Sequence, residues 1–352
     1  MREFDFLIIG QGLAGTCLSI FLKERGQRVL IADHRRDVTS SRVAAGFIHP
    51  ITGRRIVKTW MADTLFPFAV SFYHRLEKEA NTTFLHSSDS LEMISEIRQL
   101  NDWQNRSVDP DFTSYFSDEK VPRYNEALTD HIKLMRIKNS GWVNIPQFLN
   151  HYAAVWKKEN TLTEINEDLS SAEAIDDFLA YNDIRAKRII FCEGERSRFS
   201  PLWNWLPFNP AKGELLTVTI PGLPEKDVLV NGIFFVPLGN QQFRVGSTYC
   251  WNPLDDIPSE EGKRELLEKI SKTIQLPFEV NDHKAGVRPA THDRRPFLGK
   301  HPIHHHYYIY NGLGSKGSTL APWFAGHLTN HFLDNLTIMK EADINRFEYP
   351  TS

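Results

Sequence analysis

The sequence predicts an α/β fold built around a parallel, nucleotide-binding sheet, on three observations. A short apolar run, Phe4 to Ile9, stops abruptly at Gly10, as a buried parallel strand does. Gly10-Gln11-Gly12-Leu13-Ala14-Gly15 follows, a full G-x-G-x-x-G turn that opens a helix. A second apolar run, Arg28 to Ala32, then closes on an acid, Asp33.

Each residue type has a task in such a Rossmann-like unit. Gly10 permits the tight turn, Gly12 lets the backbone approach a pyrophosphate, and Gly15 lets the helix pack on the sheet. Phosphates then lie over the helix N-terminus at Leu13 and Ala14, where unpaired N–H groups and the dipole favour anions. Cys17, Leu18, Phe21 and Leu22 share one helical face, and Gly26 supplies a stop. Asp33, with His34 beside it, stands about 20 residues past the glycines, where an acid accepts from ribose hydroxyls. This pattern does not separate FAD from NAD. The acid argues against NADP, whose extra phosphate it would repel.

The 352 residues are 41% hydrophobic and 24% charged, an ordinary globular composition with length enough for two domains. No apolar run approaches a membrane span. The start, Met-Arg-Glu-Phe-Asp, lacks the apolar core and cleavage site of a secretory signal. Cys17, Cys192 and Cys250 are odd in number and without metal-ligand spacing, reading as reduced, packed thiols. A cytoplasmic protein is expected. The formal net charge of -3 does not suit a dedicated nucleic-acid binder. The basic groups Arg35-Arg36, Arg54-Arg55 with Lys58, Lys157-Lys158 and Arg294-Arg295 read as solvated surface pairs. His304-His305-His306 reads as a solvated turn rather than a metal tract.

Further along stand Ser40-Ser41-Arg42-Val43-Ala44-Ala45-Gly46, running on into Phe47-Ile48-His49-Pro50, and Ser140-Gly141-Trp142-Val143-Asn144-Ile145-Pro146. Next come Arg188 to Gly194, Lys212 to Leu216, and the paired runs Ile233 to Pro237 and Phe243 to Thr248. Ala285 to Gly299 includes Arg288-Pro289-Ala290-Thr291. A strand at Tyr307 to Tyr310 leads to Asn311-Gly312-Leu313-Gly314-Ser315-Lys316-Gly317-Ser318 and a helix from about Pro322. In this order the segments resemble the D-amino-acid oxidase and glycine oxidase superfamily of FAD enzymes. The C-terminal ones most resemble the oxidase domain of the bifunctional tRNA wobble-uridine modification enzymes. The resemblance is colinear over nearly the whole chain.

That resemblance implies FAD as cofactor. The binding would be noncovalent, because no cysteine stands in the segment Gly286 to Arg288 where some members attach flavin. It implies that Ser41, Arg42, Ala44, Ala45 and Gly46 run under the flavin, and that Gly194, Gly312 and Gly314 to Ser318 lie near it. Arg288 would pair bidentately with a substrate carboxylate beside the cofactor, a task that suits a planar, always-charged fork. Backbone N–H groups of Gly314 to Gly317 would stabilise negative charge on the reduced flavin, with Lys316 as an added cation. The implied chemistry is hydride transfer to flavin from the carbon bearing nitrogen, with hydrolysis of the resulting imine. No dedicated base is needed when the amine binds neutral. His49 is the one histidine whose neighbours would line the flavin or substrate face. Glycine oxidase has a tyrosine where this chain has Phe234-Phe235, which disfavours simple glycine; Tyr249 is placed to compensate. The tRNA enzymes also carry a methyltransferase domain, for which these residues leave no room.

Two interleaved domains are expected. Residues 1–75, 145–205 and 285–352 would form the Rossmann-like FAD-binding domain, and 76–144 and 206–284 a largely antiparallel α+β substrate domain. The polar and aromatic stretch Asn101 to Thr129 is a candidate cover over the substrate. Three functions compete: a small-molecule amine or amino-acid oxidoreductase, a tRNA-modifying oxidoreductase acting on a carboxymethylaminomethyl uridine, and a non-catalytic flavin-binding protein.

Overall fold

A computed structural model describes the chain apart from residues 35, 37, 53–55, 118, 120–123, 125, 166–172, 176–177, 182 and 351–352, and apart from the side chains of 173–175 and 178–181. Arg35 of the surface pair expected at Arg35-Arg36, the pair Arg54-Arg55, and part of the stretch 101–129 therefore lie outside the described residues, while Arg36 is exposed. The chain divides into two compact units. The first holds Met1–Arg42, Ile145–Ala211 and Val287–Ser352; the second holds Val43–Asn144 and Lys212–Gly286.

Apolar runs without polar alternation build the centre of the first unit. The strand Arg2–Ile9 buries its last four residues completely and pairs in parallel with Val29–Asp33 on one side and Ile184–Phe191 on the other. Leu162–Glu164 extends the parallel sheet beyond Val29–Asp33, and Tyr307–Asn311 extends it beyond Ile184–Phe191. Antiparallel strands finish that edge: Phe178–Tyr181 against Ile184–Phe191, and Phe297–Lys300 against Tyr307–Asn311. The register places Ile9 opposite both Ala32 and Phe191, and Phe191 opposite Ile309. The carboxyl ends of four parallel strands thus come level, where open α/β sheets bind ligands.

The helices Leu13–Glu24 and Gly317–Asp334 pack against each other. The latter begins five residues before the Pro322 expected to open it. Lys316 provides the cap, its carbonyl accepting from the N–H groups of Thr319 and Leu320. The glycine-led turn, and not the proline, starts the helix.

In the second unit a mostly antiparallel sheet runs Glu279–Arg288, Ala211–Thr219, Gln242–Gly246, Phe234–Gly239, Val228–Val230, Leu85–Ile94, Lys133–Val143 and Phe47–Ile48. Leu216, Val218, Phe235, Phe243 and Val245 share a core with Leu266 and Ile270 of the helix Glu260–Ser271. Strand alternation turns Thr217, Phe234 and Arg244 to the opposite face. Residues 43–75, grouped by the sequence with the nucleotide-binding segments, pack in this second unit. Phe47–Ile48 pairs with Lys133–Val143, so the sheet claims the chain just beyond Arg42. The described part of 101–129 also belongs here. Phe116–Ser117 pairs with Lys133–Val143, and Trp103, Phe112 and Tyr115 bury against Ile51 and Ile56.

Candidate functional site

The glycine turn after the first strand is shaped by its neighbours. Gly10 has φ +105, and a Cβ there would stand 2.5 Å from the Cys192 carbonyl oxygen, so only glycine fits. Gly15 is held against the Gly10 carbonyl, with no room for a side chain. Gly12 caps the helix Leu13–Glu24 without a side-chain bond of its own, and no acid occupies the first turn. The Leu13 N–H instead donates to the Ser41 hydroxyl at 3.2 Å, and a Cβ on Gly12 would lie 3.2 Å from that same oxygen. A helix N-terminus free of acids, with a glycine in place of a side chain and a hydroxyl beside it, fits a diphosphate. Asp33 accepts from the Gln11 N–H at 2.9 Å, so one of its oxygens holds the turn. Burial and the nearby Arg196 keep the His34 imidazole below its usual pKa.

Further turns meet this one within the first unit. A Cβ on Gly317 would touch Leu13 Cδ1 at 3.0 Å. Asn311 donates from Nδ2 to the Gly194 carbonyl at 2.7 Å and to Ser197 Oγ at 2.9 Å, while its Oδ1 accepts from the Gly312 N–H at 2.8 Å. Gly314 donates to the Pro289 carbonyl at 3.2 Å, and the Gly312 position abuts Thr291. The strand end at Arg288 and the start of the last helix are therefore one construction. Lys316, at that start, has its pKa lowered to about 8, chiefly by burial and secondarily by Arg294. Ser315 is exposed and Ser318 is buried.

Thus Gly10, Gly12, Leu13, Ala14, Gly15, Asp33, Ser41, Gly194, Gly312, Gly314, Lys316 and Gly317 converge in the first unit, with Arg288 leading into the same turns. Arg42 reaches Asn150 Oδ1 at 2.7 Å.

The other candidates belong to the second unit. Gly46, at φ +72, leaves no space for a Cβ beside the Val143 backbone and accepts from the Val143 N–H at 3.1 Å. Its small size answers this close strand approach. Ala44 accepts a hydrogen bond from Arg244 at 3.3 Å, and Ala45 is buried. His49 is buried between Glu92, 3.3 Å from Nε2, and Ser90, 3.3 Å from Nδ1, and its ring stacks on Phe47. Tyr249, proposed to stand in for a tyrosine at Phe234, is half exposed. Its ring lies 5.1 Å from that of Trp251.

Three residues escaped the sequence reading. Asn311 was visible only as the first letter of a glycine-rich run. Gln11, the variable residue of the turn, donates to the Leu149 carbonyl at 2.8 Å. Arg244 carried no signal beyond sitting in a strand. In the histidine tract His304 and His305 are exposed, while His301 is buried and structural: its Nδ1 accepts from the N–H groups of Ile303 and His304, each at 3.1 Å.

No helix among the described residues is long and apolar enough to cross a membrane. A family model described as FAD dependent oxidoreductase matches residues 5–331. The tRNA 5-methylaminomethyl-2-thiouridine biosynthesis bifunctional protein MnmC of Marinobacter nauticus is 24% identical over 360 residues, covering 92% of this chain and 54% of that protein. The chain spans about half the length of the curated relatives of this kind. Glycine oxidase of Bacillus subtilis is 24% identical over 373 residues, covering 97% of this chain and 95% of that one. Among solved structures, iminodiacetate oxidase from Chelativorans sp. BNC1 superposes with a TM-score of 0.79 at 19% identity, over 96% of this chain and 98% of that one. Glycine oxidase from Geobacillus kaustophilus gives 0.76 at 19% identity, over 96% of both chains. These structural likenesses establish a shared fold, and the family match goes further: the chain belongs to the FAD-dependent oxidoreductases.

Proposed function

We propose that the chain oxidises the C–N bond of an amine that carries a carboxylate, using noncovalently bound FAD. The observation that carries this reading is the bond from the Gly314 N–H to the carbonyl of Pro289, which joins the residue after Arg288 to the glycine-led start of the last helix in the same unit as the nucleotide turn. FAD, when bound, supplies a two-electron acceptor for the hydride on the carbon bearing nitrogen. The protein's part is orientation and electrostatics. Gly12, Ala14 and Gly15 offer backbone N–H groups and space to the diphosphate, Gly10 and Leu13 set the turn around it, and Ser41 adds a hydroxyl. Asp33 and His34 serve the ribose side, and Arg42 with Ala44, Ala45 and Gly46 the ring side. Gly194 and Gly312 shape the approach. Gly314 to Ser318 direct a helix N-terminus at developing negative charge, with the Lys316 ammonium alongside. Arg288 holds the substrate carboxylate in its planar fork. Tyr249 and His49 take lesser parts as substrate neighbours.

A second reading, oxidation of a carboxymethylaminomethyl group on tRNA, is supported by the similarity to the bifunctional tRNA-modifying proteins. That group is a substituted glycine, so Arg288 would serve it equally. The net charge of -3 favours the small-molecule reading.

The visible spectrum of the purified protein, followed by anaerobic addition of glycine, sarcosine, D-amino acids and under-modified tRNA, tests both. Bleaching of a yellow protein by a small amine supports the first, and bleaching by tRNA alone supports the second. Flavin that no amine and no tRNA reduces leaves a non-catalytic flavin protein. Arg288→Met is expected to weaken carboxylate substrates about 10- to 100-fold.

A further inference from the structure

His49 ends a chain of buried hydroxyls inside the second unit. Its Nδ1 lies 3.3 Å from Ser90 Oγ, which lies 3.0 Å from Ser140 Oγ, and Ser140 Oγ stands 3.3 Å from the Ile137 carbonyl. On the other side of the ring, Nε2 faces a Glu92 oxygen at 3.3 Å. His49, Ser90 and Ser140 are all buried, so each proton of the chain needs its acceptor within the chain.

Two arrangements satisfy that demand. With His49 neutral, a bare Nε2 would set its lone pair against the carboxylate, so the ring proton belongs on Nε2 and is donated to Glu92. Nδ1 then accepts from Ser90, and Ser90 accepts from Ser140. With one proton more, Nδ1 donates to Ser90, Ser90 donates to Ser140, and Ser140 donates to the Ile137 carbonyl. Every donor has an acceptor in both arrangements, and only O–H bonds turn between them. His301 shows the contrast, because its Nδ1 already accepts from two backbone N–H groups and a proton there would have nowhere to point.

The surrounding charges are few and mostly committed. Among the described residues Glu92 is the charged group within ion-pair distance of the ring. On the strand Leu85–Ile94, Asp89 is turned to Arg136, and on Lys133–Val143 Arg136 is held by Asp89, Glu119 and Asp227. Lys58 is paired with Asp63, and Arg244 donates to the Ala44 carbonyl. Phe47 stacks on the imidazole and leads to Phe234, 5.7 Å further on between ring centroids. The His49–Glu92 pair thus carries one negative charge without the extra proton and none with it.

We propose that His49 is a proton acceptor built into the second unit, a pH-sensitive switch that changes the charge beside Phe47 without moving a heavy atom. The step is the gain of one proton; no bond between heavy atoms forms or breaks, and nothing is oxidised. An acceptor whose partners are already in place takes its proton with little reorganisation. The switch goes beyond the C–N oxidation reading and stands without it.

The test is a pH titration of the holoenzyme carrying isotope-labelled histidine, read by nuclear magnetic resonance, with His49→Gln identifying the His49 signals. The range runs from about pH 5 to 8, where imidazoles change charge. At its upper end Nε2 is expected to carry the proton and Nδ1 none; as pH falls, Nδ1 gains one in a single step. Ser140→Ala leaves the ring's own contacts intact but removes the acceptor that Ser90 needs in the charged arrangement. Its midpoint should fall by about 1 pH unit, the value of one unpaired buried donor. Ser140→Thr, which keeps the hydroxyl, should keep the native midpoint. Should Ser140→Ala fail to fold, Ser90→Ala gives the same readout, since it removes the acceptor of Nδ1–H. A His49 that holds one protonation state over the whole range would overturn the proposal. So would a proton on Nδ1 instead of Nε2 at high pH, or a native midpoint in the alanine variant, which would leave the hydroxyls as packing.

Discussion

The Asn311 side chain donates to the carbonyl of Gly194 at 2.7 Å across 117 residues of sequence, tying the C-terminal turn of the first unit to the turn that follows the strand Ile184–Phe191. All three polar contacts of this buried amide are to groups that shape glycine turns. Asn311→Asp keeps the size and removes the donor, leaving a carboxylate against two oxygens. Destabilisation of about 2–3 kcal/mol is expected, read as a lowered midpoint in urea with unchanged slope. Retained FAD affinity with native stability would show that the bridge is dispensable.

Asp33 serves the turn before it serves any ligand, because Gln11 N–H already donates to it. Asp33→Ala should therefore lower the stability of the cofactor-free protein by about 1–3 kcal/mol as well as weaken FAD binding. Flavin fluorescence quenching and thermal melts of the apoprotein separate the two effects. Asp33→Asn, which retains an acceptor, should recover the stability more than the affinity.

Lys316 loses its proton as pH rises through about 8. If its ammonium assists the reduced flavin, the rate of anaerobic flavin reduction falls across that pH. Lys316→Arg should carry the rate to higher pH, and Lys316→Met should give a low rate without that step. The folding consequence has the opposite slope. Between about 8 and the ordinary lysine value of 10.5 the unfolded chain holds more protons, so this residue's contribution to stability rises with pH over the window. Apoprotein melts of the native and Lys316→Met proteins report the difference.

His301 is held neutral, its pKa pushed down to about 4 by burial first and by the neighbouring His304 second. Its Nδ1 accepts two backbone N–H groups, which a protonated ring cannot do. The unfolded imidazole takes its proton near 6.5, so the stability this group contributes is complete above that pH and is lost as pH falls through about 4. The native protein should lose more stability between pH 6.5 and 4 than His301→Asn, measured by urea midpoints. Parallel pH profiles would refute this.

The nucleotide turn was legible because everything it needs is local. Strand, glycines, helix face and acid lie within one short stretch, and the steric rules that demand glycine at Gly10 act between near neighbours in sequence. The FAD family was legible through ordered segments spread along the chain. Other features depended on residues far away. Gly46 was singled out as a small residue for the flavin side, and its contact with the Val143 backbone, which also demands a small residue, was not visible in the sequence. Residues 43–75 looked continuous with the nucleotide segments, yet the strand Lys133–Val143 draws Phe47–Ile48 into the other sheet. The last helix starts at the glycine turn because Lys316 caps it, a matter of backbone geometry rather than of proline preference.

By itself the sequence determined the parallel nucleotide-binding sheet and its glycine turn, since periodicity and turn rules operate over a few residues, and its resemblance to a family of FAD enzymes supplied the cofactor. Only the tertiary structure decided which charges are compensated. Arg136 and Arg244 are both strand arginines of one sheet, and nothing in their neighbours in sequence says that the first meets three carboxylates while the second, among the described residues, meets only the Ala44 carbonyl. A counter-ion is a long-range contact, and only the fold supplies or withholds it.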